Sequence, residues 1–262
     1  MKVGIIGSGH LGSALVVGFL KSSALEPKEI VVSDILEKNL RRVARLGVDV
    51  TTDNKKLVKG CNVVFIAVKP DVVGQVLEEV FDFSKGKLFV SVAAGVSTKF
   101  IESRTKARVV RAMPNICAAV AEMASAFSTG RRATKKDEEL VKKLLDELGL
   151  TFKVKEALMD AVTGLSGSGP AFIYLLIGAL SDAGVELGLA EDVALKLAAQ
   201  TAKGAAEVLL SSGESLDKLV RSICTPKGTT IEGVKVFDER KVAEAVKDAV
   251  KAAAKRAREL SR

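Results

Sequence analysis

Tryptophan is absent from this chain, and tyrosine and histidine each occur once in 262 residues. With His10 as its lone imidazole, the chain can build neither a histidine-rich zinc site nor a serine–histidine triad elsewhere. So few flat rings also leave little for nucleic-acid bases to stack on. Cysteine is scarce as well: Cys61, Cys117 and Cys224 are odd in number and far apart, which suits reduced thiols and fits neither a metal cluster nor a disulfide framework. No metal is expected. Long apolar runs are missing too, none approaching the roughly 20 uninterrupted residues of a membrane span. The apolar start MKVGIIGSGHLG is cut by glycines where a signal peptide would lead into a cleavage site. These absences predict a soluble, cytoplasmic protein that engages neither nucleic acid nor a membrane.

Hydrophobic residues make up 48% of the chain, enough for a real core in one large or two ordinary domains. The net charge of +8 invites a nucleic-acid reading, but about half of the excess lies between Lys235 and Arg262. There the basic residues alternate with alanine, valine and glutamate at helical spacing, the pattern of a solvated helix face. A basic pocket for an anionic cofactor is the better functional use of the charge.

Residues 1–155 alternate short β-branched runs, KVGIIG, EIVVSD, VVFIAV, KLFVSVA and ARVVRAM, with amphipathic helical stretches. That alternation predicts a Rossmann-type α/β domain: a parallel sheet with helices on both faces, its strands buried on both sides. ASAFSTG and LTFKVK, flanking the helix KKDEELVKKLLDELG, are expected to finish the sheet. Residues 156–262 turn almost wholly helical, predicting an all-α second domain. The stretch from Ala171 to Val185 is apolar nearly all round and needs cover on every side, so a partner chain is expected. Between the two, TGLSGSGPAF follows a helical stretch instead of a strand. It reads first as a helix–helix joint, with Pro170 at the first helical position and Ser168 or Gly169 as cap. Its glycines could also let a ligand approach the backbone.

The phosphate loop lies at the start. Gly7-x-Gly9-x-x-Gly12 follows a predicted strand and opens a predicted helix. Gly7 makes the tight turn, Gly9 lets a pyrophosphate reach backbone N–H groups, and Gly12 lets helix and strand pack closely. The pyrophosphate then meets the positive end of the helix. His10 reads as a loop residue facing the cofactor, since the redox carbon of a dinucleotide lies well away from its pyrophosphate. The second strand ends at Asp34, placed to accept from ribose hydroxyls and to oppose a 2′-phosphate, which leans the cofactor toward NADH. Asp34 could equally cap the helix ILEKNLRRVARLG, whose Lys38, Arg41 and Arg42 could restore phosphate binding, so NADPH stays open. Further candidates at strand ends are Lys69, the backbone from Ala93 to Gly95, and Asn115, each of which could also be a plain turn residue.

Taken together, IGSGHLG, AVKP, AAGV, RAMPN, DAVTGLSGSGPAF, ALSDAGVELGL, AAQTAKGAAEVL and CTPKGTTIEGV closely resemble the pyrroline-5-carboxylate reductase family. The likeness covers essentially the whole chain. It implies NADH- or NADPH-dependent reduction of a cyclic imino acid to L-proline, and a helical dimerisation domain forming interlocked dimers that can assemble into rings. It also implies cofactor contacts at Ile6, Gly7, Ser8, Gly9, His10 and Leu11, at Asp34 and Asn54, at Ala67, Val68, Lys69 and Pro70, and at Val92, Ala93 and Ala94. For the substrate it implies Glu156 and the TPKGTT loop through Thr225, Gly228, Thr229 and Thr230, with the Thr230 hydroxyl near the ring nitrogen. One departure stands out. Where the family reads Ser-Pro-Gly-Gly, this chain has Thr225-Pro226-Lys227-Gly228, so a lysine would be strained if its position requires positive φ.

The chemistry is coherent on its own terms. A cyclic imino acid needs a hydride on its C=N carbon, a proton on nitrogen and an anchor for its carboxylate; a helix N-terminus can provide the last. A protonated imine is already electrophilic, so catalysis reduces mostly to positioning. Two other readings remain open: a reductase of a β-hydroxyacid or another cyclic imine, with Lys196, Lys203 or Lys218 as proton donor, and a dinucleotide-sensing protein without turnover.

Overall fold

A computed structural model describes residues 1–260. Its first compact unit comprises Met1–Ser168 and the stretch from Lys251 onward, and its second Gly169–Val250.

The first unit is an eight-stranded sheet in the order β3-β2-β1-β4-β5-β6-β7-β8. Its strands are β1 (Val3–Ile6), β2 (Ile30–Ser33), β3 (Asp49–Thr51), β4 (Val63–Ile66), β5 (Leu88–Ser91), β6 (Arg108–Met113), β7 (Met123–Thr129) and β8 (Gly149–Lys153). All neighbours are parallel except β6 and β7. The expected strands are all present. The chain adds β3, a three-residue edge strand absent from the predicted set, and the β6–β7 pairing makes the sheet mixed.

Helices α1 (His10–Lys21), α2 (Glu37–Ala44), α3 (Asn54–Gly60), α4 (Val73–Glu79), α5 (Thr98–Glu102), α6 (Lys135–Asp146) and α7 (Met159–Val162) complete this unit. Apolar layers cover both sheet faces. Leu15 and Phe19 of α1 pack with Phe65 and Phe127 on one face, the Phe19 and Phe65 rings 5.7 Å apart. Leu57, Leu77 and Ile101 close over Ile66 and Phe89 on the other. Burial of β1, β4 and β5 on both sides explains why they read as unbroken apolar runs.

The second unit is helical, as expected: α8 (Gly169–Glu186), α9 (Glu191–Ser212), α10 (Leu216–Ile223), α11 (Thr229–Glu239) and the start of α12 (Val242–Glu259). α8 and α9 pair closely, and a Cβ at Gly184 would lie 3.1 Å from that of Ala194. The rest of α8 leaves Ile173, Tyr174, Leu175 and Leu180 exposed.

TGLSGSGPAF is a joint between helices, as expected: Thr163–Gly167 forms a π-helical stretch after α7, Ser168 follows as its cap, and α8 starts at Gly169, with Pro170 as its second residue in place of its first. The resulting helical run Glu156–Glu186, of mean hydropathy 1.3 in its most apolar window, is long and apolar enough to cross a membrane. The expectation concerned uninterrupted apolar residues, and Ser166, Ser168, Ser181 and Asp182 interrupt this run. Gly, Ser and Ala interrupt an apolar run by eye without much lowering its mean.

Candidate active site

The chain leaves β1 into a turn that only glycine can make. Gly7 has φ +97°, and a Cβ there would sit 2.7 Å from the Ala67 carbonyl oxygen. At Gly12, on the first turn of α1, a Cβ would run into the Gly7 carbonyl oxygen, so this position sets the close approach of helix and loop. Gly9 caps α1 and has nothing within 4 Å of where its Cβ would point. That free space, at the positive end of a helix, fits a pyrophosphate.

A cavity of about 360 Å³ opens on one side of this loop, lined by Ile6, Gly7, Gly9, Asp34, Asn39, Asn54 and Val68 among others. Asp34 Oδ2 accepts hydrogen bonds from Ser8 N at 2.8 Å, Ser8 Oγ at 2.9 Å and Asn39 Nδ2 at 3.2 Å, and Oδ1 accepts from Leu36 N at 2.8 Å. Burial pushes this carboxyl up, but the Leu36, Ser8 and Asn39 donors outweigh it and hold its pKa below the ordinary aspartate value. Asp34 is therefore ionised at neutral pH. It does not cap α2, whose N-cap is Leu36. Of the cations considered for a 2′-phosphate, Arg41 pairs with Glu37 at 3.1 Å, whereas Arg42 Nη2 donates to Ser8 O at 2.8 Å and Ser13 Oγ at 2.7 Å, bracing the glycine loop from outside. Asn54 is buried, its Oδ1 accepting from Ser33 Oγ and its Nδ2 donating to Glu79. It fixes the end of β2.

A second cavity, of about 540 Å³, lies beyond the C-terminal ends of β4, β5 and β6, where parallel sheets bind their ligands. The expected residues Gly9, His10, Leu11, Ala67 to Pro70, Val92 to Ala94 and Asn115 all line it. Met113, Pro114, Ile116, Thr163, Gly167 and Ser168 join them, so the joint segment does face a ligand-sized space. Asn115 Nδ2 donates to Ser166 O at 3.0 Å, tying the β6 turn to that segment. His10 and Lys69 are the ionisable side chains among the described lining residues, and neither is a carboxylate.

Glu156 lies outside this lining. Its Oε1 accepts from Thr98 N and its Oε2 from Thr98 Oγ1, both at 2.6 Å, and Arg111 stands 3.7 Å away. Arg111 and Thr98 escaped the sequence reading. The available signal was a charged residue inside the buried run RVVRAM.

Thr225, Gly228, Thr229 and Thr230 lie together in the second unit at the start of α11. Gly228 is the helix cap without any side-chain cap bond, so Thr230 is not the cap. A Cβ at Gly228 would crowd Thr225 Oγ1 and stand 3.0 Å from the Thr225 carbonyl oxygen, so the turn is tight here. Lys227 does adopt positive φ, +60°, so the strain foreseen for a lysine here is present. Of the lysines considered as proton donors, Lys196 pairs with Asp192 and Lys218 with Glu214 on exposed helix faces, and Lys203 is exposed.

A Rossmann sheet with a glycine loop shaped for a pyrophosphate, an ionised acid at the end of β2 and a cavity beyond β4 to β6 defines a dinucleotide-dependent oxidoreductase. Comparison with known proteins gives the particular family. Residues 156–260 match the family described as pyrroline-5-carboxylate reductase dimerisation, and residues 2–95 match NADP oxidoreductase coenzyme F420-dependent. A pyrroline-5-carboxylate reductase of Methanosarcina acetivorans is 40% identical, covering 100% of this chain and 98% of its own. One from Arabidopsis thaliana is 41% identical over 99% of this chain and 95% of its own. Among solved structures, Plasmodium falciparum pyrroline carboxylate reductase with NADP bound superposes with a TM-score of 0.92 at 28% identity, covering 100% and 98% of the two chains. The chain belongs to the pyrroline-5-carboxylate reductase family.

Proposed function

We propose that this protein reduces 1-pyrroline-5-carboxylate to L-proline, with NADH or NADPH as reductant. The observation that carries the reading is the cavity of about 540 Å³ beyond β4 to β6, whose lining gathers the residues expected to hold the cofactor and includes no carboxylate. A reaction run there must use a substrate that is already electrophilic, as a protonated cyclic imine is. The bound dinucleotide supplies a hydride to the C=N carbon, and the ring nitrogen becomes a secondary amine. The chain's own part is positioning. The loop from Gly7 to Gly12 holds the pyrophosphate, and Val92, Ala93, Ala94 and Asn115 bound the nicotinamide. The first-turn amides of α11 anchor the substrate carboxylate, while the Thr230 hydroxyl hydrogen-bonds the ring nitrogen. Mixing the protein with the imino acid and NADH or NADPH is expected to bleach the nicotinamide absorbance and yield proline. Binding of either cofactor with no oxidation would leave a sensing protein instead.

NADH is the favoured cofactor in this reading, because an ionised Asp34 faces the adenosine side of the loop. Asp34→Ser removes a like charge from the position a 2′-phosphate would take and is expected to raise the NADPH:NADH ratio of kcat/KM by roughly tenfold. An unmoved ratio with a lower melting temperature would reduce Asp34 to a fastener for Ser8 and Leu36.

The exposed face of α8 supports an interlocked dimer, able to build a ring of dimers, over insertion in a bilayer. Residues from Glu156 on belong to that assembling part. The uneven number of free thiols supports a cytoplasmic location.

A further inference from the structure

Arg111 is 3% exposed and sits on β6, one side-chain step below Met113 on the same strand face. Its Nη1 lies 3.7 Å from Glu156 Oε1 and its Nη2 3.4 Å from Asp160 Oδ1, while its buried Nε has no hydrogen-bond partner among the described residues. The strongest arginine–carboxylate pairs are bidentate, two parallel N–H groups on one acid. This one is stretched between two acids. Each acid leads to a different wall of the cavity beyond β4 to β6. Glu156 holds Thr98, which opens α5 just past the Ala93–Ala94 wall. Asp160 lies in α7, directly before the Thr163–Gly167 stretch that forms the opposite wall and whose Gly167 approaches Met113 Sδ, with 3.6 Å to the place of a Cβ.

We propose that Arg111, with Glu156 and Asp160, is a positioning bridge that sets the spacing of these two walls and so holds the nicotinamide in place for hydride transfer. The inference rests on the function proposed above and gives Glu156 a supporting role in place of direct contact with substrate. Removing the fork while keeping the charge should loosen the walls without touching the glycine loop or Asp34, where most dinucleotide affinity originates.

The test uses the full-length protein and Arg111→Lys, with turnover, the NADH dissociation constant, the emission enhancement of bound NADH and the melting temperature read on one preparation. We expect kcat to fall about tenfold or more, the dissociation constant to move by less than about threefold, and the enhanced emission of the bound nicotinamide to be largely lost. A lower melting temperature with kcat and emission unchanged would overturn the proposal and leave the bridge merely structural. Should Arg111→Lys fail to fold, Asp160→Asn removes one arm at constant size and is expected to show the same split, with the same overturning result. Wild-type protein that binds NADH with enhanced emission but does not oxidise it with the imino acid would count against the proposed reaction, and the emission alone would then judge the bridge.

Discussion

An aspartate in place of Leu175 is expected to split the assembly and abolish turnover together. Leu175 is 73% exposed in the single chain, on a helix whose Ile173, Tyr174 and Leu180 are exposed as well, so that α8 is bare around much of its circumference. Burying one leucine is worth roughly 1.5–3 kcal/mol, and several such side chains lie unpartnered on one helix. In a two-fold dimer the same patch meets itself. The substitution would therefore force two carboxylates into an apolar interface, at several kcal/mol per uncompensated charge. Light scattering should show the wild type as a dimer or larger without detergent, and the variant as a species near 27.6 kDa or as aggregate. A Leu175→Asp protein that keeps its assembly and its rate would remove α8 from the interface. Wild type that stays dispersed only in detergent would point to a bilayer instead.

Much of the first unit was legible because its signals are local. The Gly7, Gly9 and Gly12 spacing follows one strand and opens one helix, and each glycine's task reappears in the coordinates as a positive φ, a free space or a close approach. β3 was missed because three residues, exposed or half-buried, give no apolar run to detect. The antiparallel turn of β7 was hidden for another reason. Apolar content encodes burial and says nothing of strand direction. TGLSGSGPAF was readable as a joint because glycine, serine and proline punctuate helices, but its π-helical form was not, since that turn is rare and carries no residue signature. Least legible of all was the Arg111 bridge, whose partners lie far along the chain at Glu156 and Asp160 and share no periodicity with it. Asp34 shows the same limit on a smaller scale: its place at the end of β2 was readable, but its grip on Ser8 was not.

Thr230→Ala is expected to lower turnover roughly ten- to a hundredfold while NADH binding and melting temperature barely change, and Thr230→Ser is expected to be largely tolerated. The argument begins from the start of α11. Gly228 caps this helix and Thr230 is its second residue, so the first-turn amides have no carbonyl within the helix to bond and remain available to a carboxylate whatever side chain residue 230 carries. Anchoring of the substrate should thus survive the change to alanine. In the proposed reaction the hydroxyl has a separate task, a hydrogen bond to the ring nitrogen as that nitrogen becomes an amine. Losing one hydrogen bond to the ring nitrogen would cost on the order of 1–3 kcal/mol, which is the stated range in rate. Were Thr230 a helix cap, alanine would instead lower stability by about 1 kcal/mol and leave the rate per folded enzyme intact; the position of Gly228 already argues against that. Turnover, KM for the imino acid and melting temperature measured on the same preparations decide the matter. A rate unchanged in Thr230→Ala would take the hydroxyl out of the reaction and leave the α11 amides to position the substrate alone.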